Sequence, residues 1–267
     1  MKKVLTIAGS DSCGGAGMQA DLKTMSALGV YGMSVITAVT AQNTVGVQKV
    51  MEVPKELVET QIRSIFDDIK VDAVKIGMVS NIEIIKTIKD LLIEYNAKNI
   101  VIDPVMISKS GYFLLRPEAH EAIKDLISIA DIVTPNIPEA EILTSMKIKD
   151  SNAMKEAALM IKSLGAKNVL IKGGHRCNDA NDILLFGSDF LILKGHRINT
   201  KNTHGTGCTL SSAIASNLAK IDDIRKAVEL SKEYIAKAIK NSFSIGQGVG
   251  PVGHFVEVYK KALISYE

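Results

Sequence analysis

Residues 4–29, VLTIAGSDSCGGAGMQADLKTMSALG, read as a strand, a glycine-rich loop and a helix in that order. Residues 4–8 form a short, continuous apolar run, the mark of a strand covered on both faces. Gly9, Gly14, Gly15 and Gly17 then punctuate a loop whose backbone can approach another group closely. Residues 18–28 form a helix closed by Gly29, a residue suited to the left-handed position after a helix. A buried strand feeding directly into a helix is the opening of a parallel βαβ unit.

The same alternation continues along the chain. Short apolar or β-branched runs at 34–41, 73–76, 100–103, 131–134 and 169–172 read as strands. Between them, Leu57, Val58, Ile62, Ile65, Phe66 and Ile69 recur at helical spacing, as do Ile84, Ile85, Ile88, Leu91 and Leu92. Further helices are expected at 118–127 and 151–164, the latter stopped by Gly165. Residues 183–186 and 190–193 suggest a hairpin around Gly187-Ser188, and two helices close the chain, after Cys208 and over 224–240. No linker, repeat or shift of composition interrupts residues 1–267, so one domain is expected. The pattern predicts an α/β fold, three-layer α/β/α with a mostly parallel central sheet. Ligands of such sheets bind beyond the carboxyl ends of the strands.

Composition narrows the function classes. The 267 residues are 46% hydrophobic with a formal charge of +3, enough to bury a large core. No block of Lys and Arg appears, which argues against nucleic-acid binding. No apolar run approaches the ~20 residues needed to span a bilayer. The opening MKKVLTIAGSD reads as a first strand rather than a signal peptide, because its apolar run stops at Gly9-Ser10-Asp11. Cysteines at 13, 177 and 208 form no CxxC pair, which favours a reducing, cytoplasmic setting over disulfides or structural zinc.

The chemistry concentrates just after strands. Residues 201–211, KNTHGTGCTLS, set Gly205, Thr206 and Gly207 in a turn that opens a helix rich in small residues. Backbone N–H groups and the helix dipole converge there on an anion, and Cys208 falls in the first helical turn, where a thiolate is favoured. An anion cradle holding an ionisable side chain suggests phosphoryl transfer.

The loop of residues 9–17 lacks both the GxGxxG spacing and a GKS or GKT ending, which disfavours a dinucleotide fold or a Walker P-loop. Asp21, one turn into the next helix, is either a solvated surface residue or an acceptor for a substrate hydroxyl. Gln42, in AVTAQNT at a strand end, caps a turn or pairs with the edge of a nitrogen heterocycle, since an amide both donates and accepts. Met78 sits after another strand. Asp103-Pro104-Val105 and the Asn-x-x-Glu of Asn136–Glu139 place hard oxygen ligands at the sheet edge, as a Mg²⁺–phosphate site would. Lys172, in IKGGH, offsets phosphate charge or snorkels at the surface. His175, His196 and His204 show no metal spacing, and His204 is the best placed of them to face the site.

Taken together, GSDSCGGAGMQADLKT, SVITAVTAQNT, KIGM, Asn136–Glu139, KGGH and NTHGTGCT resemble the hydroxymethylpyrimidine (phosphate) kinases of thiamine biosynthesis, within the ribokinase-like superfamily. The resemblance covers essentially the whole chain. It implies two ATP- and Mg²⁺-dependent steps on one pyrimidine, the hydroxymethyl group becoming a phosphate ester and the ester a diphosphate. By matching motif, Gln42 would read 4-amino-5-hydroxymethyl-2-methylpyrimidine, with Gly9, Ala16, Asp21, Met78 and Val105 around it. Gly205, Thr206 and Gly207 would form the anion hole, and Cys208 would take the catalytic position. Asp103 and Glu139 would serve the metal, while Asn136, Glu139 and Lys172 would serve the nucleotide. The intact Ala41-Gln42-Asn43-Thr44 favours the pyrimidine over pyridoxal, the substrate of similar kinases, and Cys208 in place of an aspartate argues against a sugar kinase. A non-catalytic sensor that keeps the fold is the rival of another class. Relatives imply a homodimer.

Overall fold

The computed structural model describes residues 1–107, 111, 114–174 and 180–263. Its strands are β1 (Lys3–Asp11), β2 (Tyr31–Gln42), β3 (Val47–Glu52), β4 (Ala73–Ile76), β5 (Ile100–Ile102), β6 (Ile132–Val133), β7 (Asn168–Ile171), β8 (Asp182–Phe186) and β9 (Asp189–Leu193). They form one sheet in the order β3-β2-β1-β4-β5-β6-β7-β8-β9. The run from β2 to β7 is parallel, whereas β3 at one edge and β8 and β9 at the other are antiparallel.

The helices are α1 (Gly17–Ala27), α2 (Lys55–Phe66), α3 (Ile82–Glu94), α4 (His120–Ile127), α5 (Ile137–Thr144), α6 (Ser151–Ser163), α7 (Thr206–Leu218), α8 (Ile224–Lys240) and α9 (Val256–Lys261). Successive strand residues face opposite sides of a sheet, and this sorts the apolar side chains into two cores. Leu5, Ile7, Val74, Ile76, Ile102 and Val169 pack with side chains of α2 through α6. Val4, Ala73, Val101, Ile132 and Leu170 pack on the other face with α1, α7 and α8. The three-layer architecture expected from the alternation is therefore present.

Three elements depart from the sequence reading. β3 was not expected, because VQKVME carries no apolar run. As an antiparallel edge strand it leaves much of its surface in water and needs none. α5 grows from the Asn-x-x-Glu stretch read above as a ligand motif. α9 adds a third helix after the two expected to close the chain. Elsewhere boundaries move by a few residues, as in β2, which begins at Tyr31 rather than 34.

At its carboxyl end β1 shifts register against β2 between Ala8 and Ser10, a bulge centred on Gly9. The bend delivers Asp11 and the glycine loop to the edge where β4, β5 and β7 also end.

Candidate active site

The turn before α7 is pinned from both sides. His204 N–H donates to Gly250 O at 3.0 Å, and Asn202 Oδ1 accepts from Gly250 N–H at 3.1 Å. Gly205 is the N-cap residue with φ +75°, and a Cβ there would collide with the backbone carbonyl of Gly15. Only glycine satisfies both conditions. Among the described residues, the N–H groups of Gly207 and Cys208 meet no protein acceptor, as expected for the first turn of a helix. They are free to receive an anion. The rest of α7, from Thr209 to Leu218, is buried, and its small residues let it lie close against the sheet and α1.

Below this turn lies a row of charges. Asp103, almost wholly buried, accepts from Lys172 Nζ at 2.7 Å, and Thr134 Oγ1 donates to the same oxygen at 3.3 Å. Cα of Gly207 is so near that an added Cβ would lie 3.3 Å from Asp103 Oδ2 and 3.4 Å from Lys172 Nζ. Lys172 is thus not a snorkelling surface residue. Burial disfavours its charge, but Asp103 and Glu139 more than compensate and raise its pKa.

Asn136 and Glu139 form a capping box on α5: Asn136 Oδ1 accepts from Glu139 N–H at 2.9 Å, and Asn136 N–H donates to Glu139 Oε2 at 2.7 Å. Burial pushes the Glu139 carboxyl up to about 7, with Asp103 adding to the shift and Lys172, 3.9 Å away, opposing it. The two residues therefore build the helix start as well as bordering the charge row.

Asp21 corrects both earlier readings. It is fully buried, neither solvated nor open to a substrate hydroxyl. Its Oδ2 accepts from Thr6 Oγ1 at 2.6 Å and Lys75 Nζ at 2.8 Å, and its Oδ1 from Ser212 Oγ at 2.6 Å. Lys75, also fully buried, is the register partner of Thr6 across β1 and β4. Sequence reasoning passed over it, although a lysine inside the apolar run AVKI was the available signal.

Cys208 also differs from expectation. The helix start does not produce a thiolate, because burial dominates and pushes the thiol up to about 11. Asp21 and Asp103 add to the shift, and Lys75 and the Gly17 N–H pull against it. The resting group is a neutral thiol.

The glycine loop is organised by Asp11, another residue the sequence did not single out. Its carboxylate accepts from Cys13 N–H at 2.9 Å, Gly15 N–H at 3.0 Å and Ala16 N–H at 2.8 Å. His204 Nε2 lies 2.9 Å from Asp11 Oδ2 and joins this loop to the anion turn. Burial alone would raise the Asp11 carboxyl, but the bonds from His204, Ala16 and Cys13 hold it below its ordinary value. Gln42 lies beside His204, its outer amide atom 3.3 Å from Nε2. Met78 packs against Gly9, where a Cβ would come within 2.9 Å of its sulfur. Val105 follows Asp103 directly, its N–H donating to Asp103 O at 2.8 Å.

The structure thus gathers Gly205, Gly207 and Cys208 with Asp103, Lys172 and Glu139, and joins Gln42 and Ala16 to that turn through His204 and Asp11. His196 is exposed and away from these contacts, while His175 and Cys177 lie outside the described residues. A cavity of about 300 Å³ bordered by Glu52, Lys55, Asn81 and Glu83 lies elsewhere and carries none of these groups.

Comparison with known proteins supplies the family. Residues 11–253 match the family model described as phosphomethylpyrimidine kinase. The chain is 51% identical over 261 residues to a hydroxymethylpyrimidine/phosphomethylpyrimidine kinase of Rhizobium meliloti, covering 96% of this chain and 98% of that protein. It is 50% identical over 255 residues to a thiamine biosynthesis bifunctional protein of Geobacter sulfurreducens, covering 95% of this chain but only 52% of that longer protein. A crystal structure of phosphomethylpyrimidine kinase from Clostridium difficile superposes with TM-score 0.82 at 54% identity, over 90% of this chain and 100% of that one. The pyridoxal kinase of Staphylococcus aureus, in complex with AMP-PCP and pyridoxal, gives TM-score 0.88 at 37% identity, over 96% and 94%.

Proposed function

Because the chain belongs to the phosphomethylpyrimidine kinase family, we propose that the carboxyl edge of its ribokinase-like sheet carries both phosphoryl transfers of that activity at one site. The activity is that of a hydroxymethylpyrimidine/phosphomethylpyrimidine kinase of thiamine biosynthesis. One observation carries the assignment of roles: among the described residues the helix N–H groups of Gly207 and Cys208 meet no protein acceptor, and Gly207 sits against the Asp103–Lys172 pair. Phosphoryl transfer needs positioning and charge neutralisation above all. Gly205, Thr206 and Gly207 shape a cradle for the transferring group, and Lys172 supplies a cation beneath it. Gln42 reads the pyrimidine edge, with Gly9, Ala16, Met78 and Val105 around the ring. Asp21 acts from behind, holding Lys75 under α7.

ATP is the donor, in keeping with the AMP-PCP complex of the related pyridoxal kinase. For Mg²⁺ the residues fit in one particular way. Among the described residues no cluster of three or more His, Cys, Asp and Glu side chains could cage a metal. Mg²⁺ commonly takes only one or two carboxylates and completes its shell with water and substrate phosphates. Asp103 and Glu139 are that pair, and when bound the ion neutralises phosphate charge. Asn136 and Lys172 lie on the nucleotide side. We place the enzyme in the cytoplasm as a homodimer, with exposed Val39 and Met51, paired across β2 and β3, on the face a second copy would cover.

The substrate assignment is tested by ADP release with hydroxymethylpyrimidine, with pyridoxal, and with neither. Turnover on the pyrimidine at least tenfold above pyridoxal is expected, and the reverse order would overturn it. The cradle is tested by Gly205→Ala. A Cβ cannot fit against Gly15 O, so the turn must open and ADP release should fall by about 10²-fold or more, as for loss of an oxyanion-hole donor. Circular dichroism should still show the wild-type fold.

A further inference from the structure

Gln42 has a side-chain amide whose two termini fill equivalent space, so the hydrogen-bond partners decide which is oxygen and which is nitrogen. As placed, Gln42 Nε2 lies 3.3 Å from His204 Nε2 and Gln42 Oε1 lies 3.4 Å from Thr40 Oγ1, and the partners call for the two to be exchanged. His204 Nε2 lies 2.9 Å from Asp11 Oδ2, and that carboxylate already accepts three backbone N–H groups. A carboxylate can only accept, so Nε2 must carry a hydrogen. That single hydrogen points mainly at Asp11, so an amide oxygen 3.3 Å from Nε2 takes only a share of it, whereas an amide nitrogen there would set donor against donor. Thr40 gives the same answer independently. Its hydroxyl donates to Ser10 O at 2.9 Å, which uses its single proton, so it can only accept from Gln42.

Both neighbours therefore require the Gln42 oxygen toward His204 and the nitrogen toward Thr40. The backbone of Gln42 is also fixed, since Ser12 Oγ donates to its carbonyl at 2.7 Å and accepts from its N–H at 2.8 Å. The imidazole has no freedom to turn away. It is wedged against Gly15, where a Cβ would collide with His204 Cδ2, and its backbone is bonded to Gly250.

We propose that His204, oriented by Asp11, is a specificity-determining positioning residue that locks the Gln42 amide in one orientation. This rests on Gln42 reading the ring. The locked amide keeps one N–H and one oxygen lone pair free, in a fixed order. A heteroaromatic edge with a ring nitrogen beside an exocyclic amino group pairs with both. A ring whose nitrogen is flanked by a methyl group pairs with one, and a freely flipping amide would lose the distinction.

The test is a double-mutant cycle on hydroxymethylpyrimidine with His204→Leu, Gln42→Ala and the double variant, alongside His204→Gln, which restores a side-chain N–H donor. His204→Leu should raise KM about tenfold, the scale of one hydrogen bond, with kcat within about twofold. It should add nothing in the Gln42→Ala background, and His204→Gln should recover most of the loss. Independent, multiplying effects, or a fall in kcat alone, would overturn the locking role and leave Gln42 as the ring reader. An unchanged KM in Gln42→Ala would overturn the ring assignment and the lock with it. A measurement on the unaltered protein stands apart from variant folding: ¹⁵N NMR of the His204 ring should show a protonated Nε2. A bare Nε2 would refute the proposal.

Discussion

Replacing Cys208 by alanine is expected to slow the first phosphorylation by about 10²–10⁴-fold, the usual cost of losing a general base, and the second by less than about tenfold. The asymmetry follows from the two acceptors. The first is an alcohol, whose proton must leave, while the second is a phosphate oxygen that is already anionic near neutral pH. The pH dependence sharpens the expectation. A thiol pushed up to about 11 by burial is neutral at pH 7 and active as a base only when ionised. The ionised fraction grows as pH rises toward that value, so the first step should accelerate by about tenfold per pH unit between 7 and 9. The second step should stay nearly flat. Single-turnover rates for each acceptor, measured across that range in wild type and Cys208→Ala, decide the matter. Equal losses on both steps, or a pH slope that survives the substitution, would leave Cys208 a purely geometric role.

The largest effect on stability is expected from Lys75→Met. Lys75 and Asp21 are both fully buried and joined at 2.8 Å. Removing the cation leaves a carboxylate in the core with only the hydroxyls of Thr6 and Ser212. Breaking one side of a buried pair typically costs about 3–5 kcal/mol, because the remaining charge is uncompensated. Combining Lys75→Met with Asp21→Asn removes that charge, leaving an amide oxygen to accept from one hydroxyl and an amide N–H to donate to the other. The double variant should therefore lose less than the single one. Urea unfolding of the three proteins measures this, and a single variant within about 1 kcal/mol of wild type would show that the pair matters little.

The sequence announced the layers more fully than the site, and the reasons are specific. β4 through β7 are covered on both faces, so they must be continuous apolar runs, and such runs stand out. The hairpin around Gly187 and the helix start at Gly205 were equally plain, because both adopt the left-handed backbone that glycine favours. β3 was silent because a half-solvated edge needs no apolar run. α5 was hidden by ambiguity of meaning: Asn136 and Glu139 spell a helix start and a pair of hard ligands with the same letters. Asp21 and Lys75 were illegible as a pair for a different reason. Asp21 looks like an ordinary surface charge, and the lysine within AVKI signals burial without naming a partner, until the fold sets them 2.8 Å apart across 54 positions of chain. Asp11 and His204 find each other in the same way, and the thiol's environment depends on all of these neighbours at once.

The join between the glycine loop and the anion turn has a consequence for how the protein is made. Asp11 and His204 are 193 residues apart, and Asp21 and Ser212 are 191 apart. At ordinary rates of synthesis, the loop leaves the ribosome roughly 10 to 40 s before its partner. During that interval the Asp11 carboxylate has its loop N–H groups but no imidazole, and α1 has no α7 against which to bury Asp21. Contacts closed over such distances form late. A nascent chain therefore has no complete phosphate site to offer until the last third of the chain docks on the first.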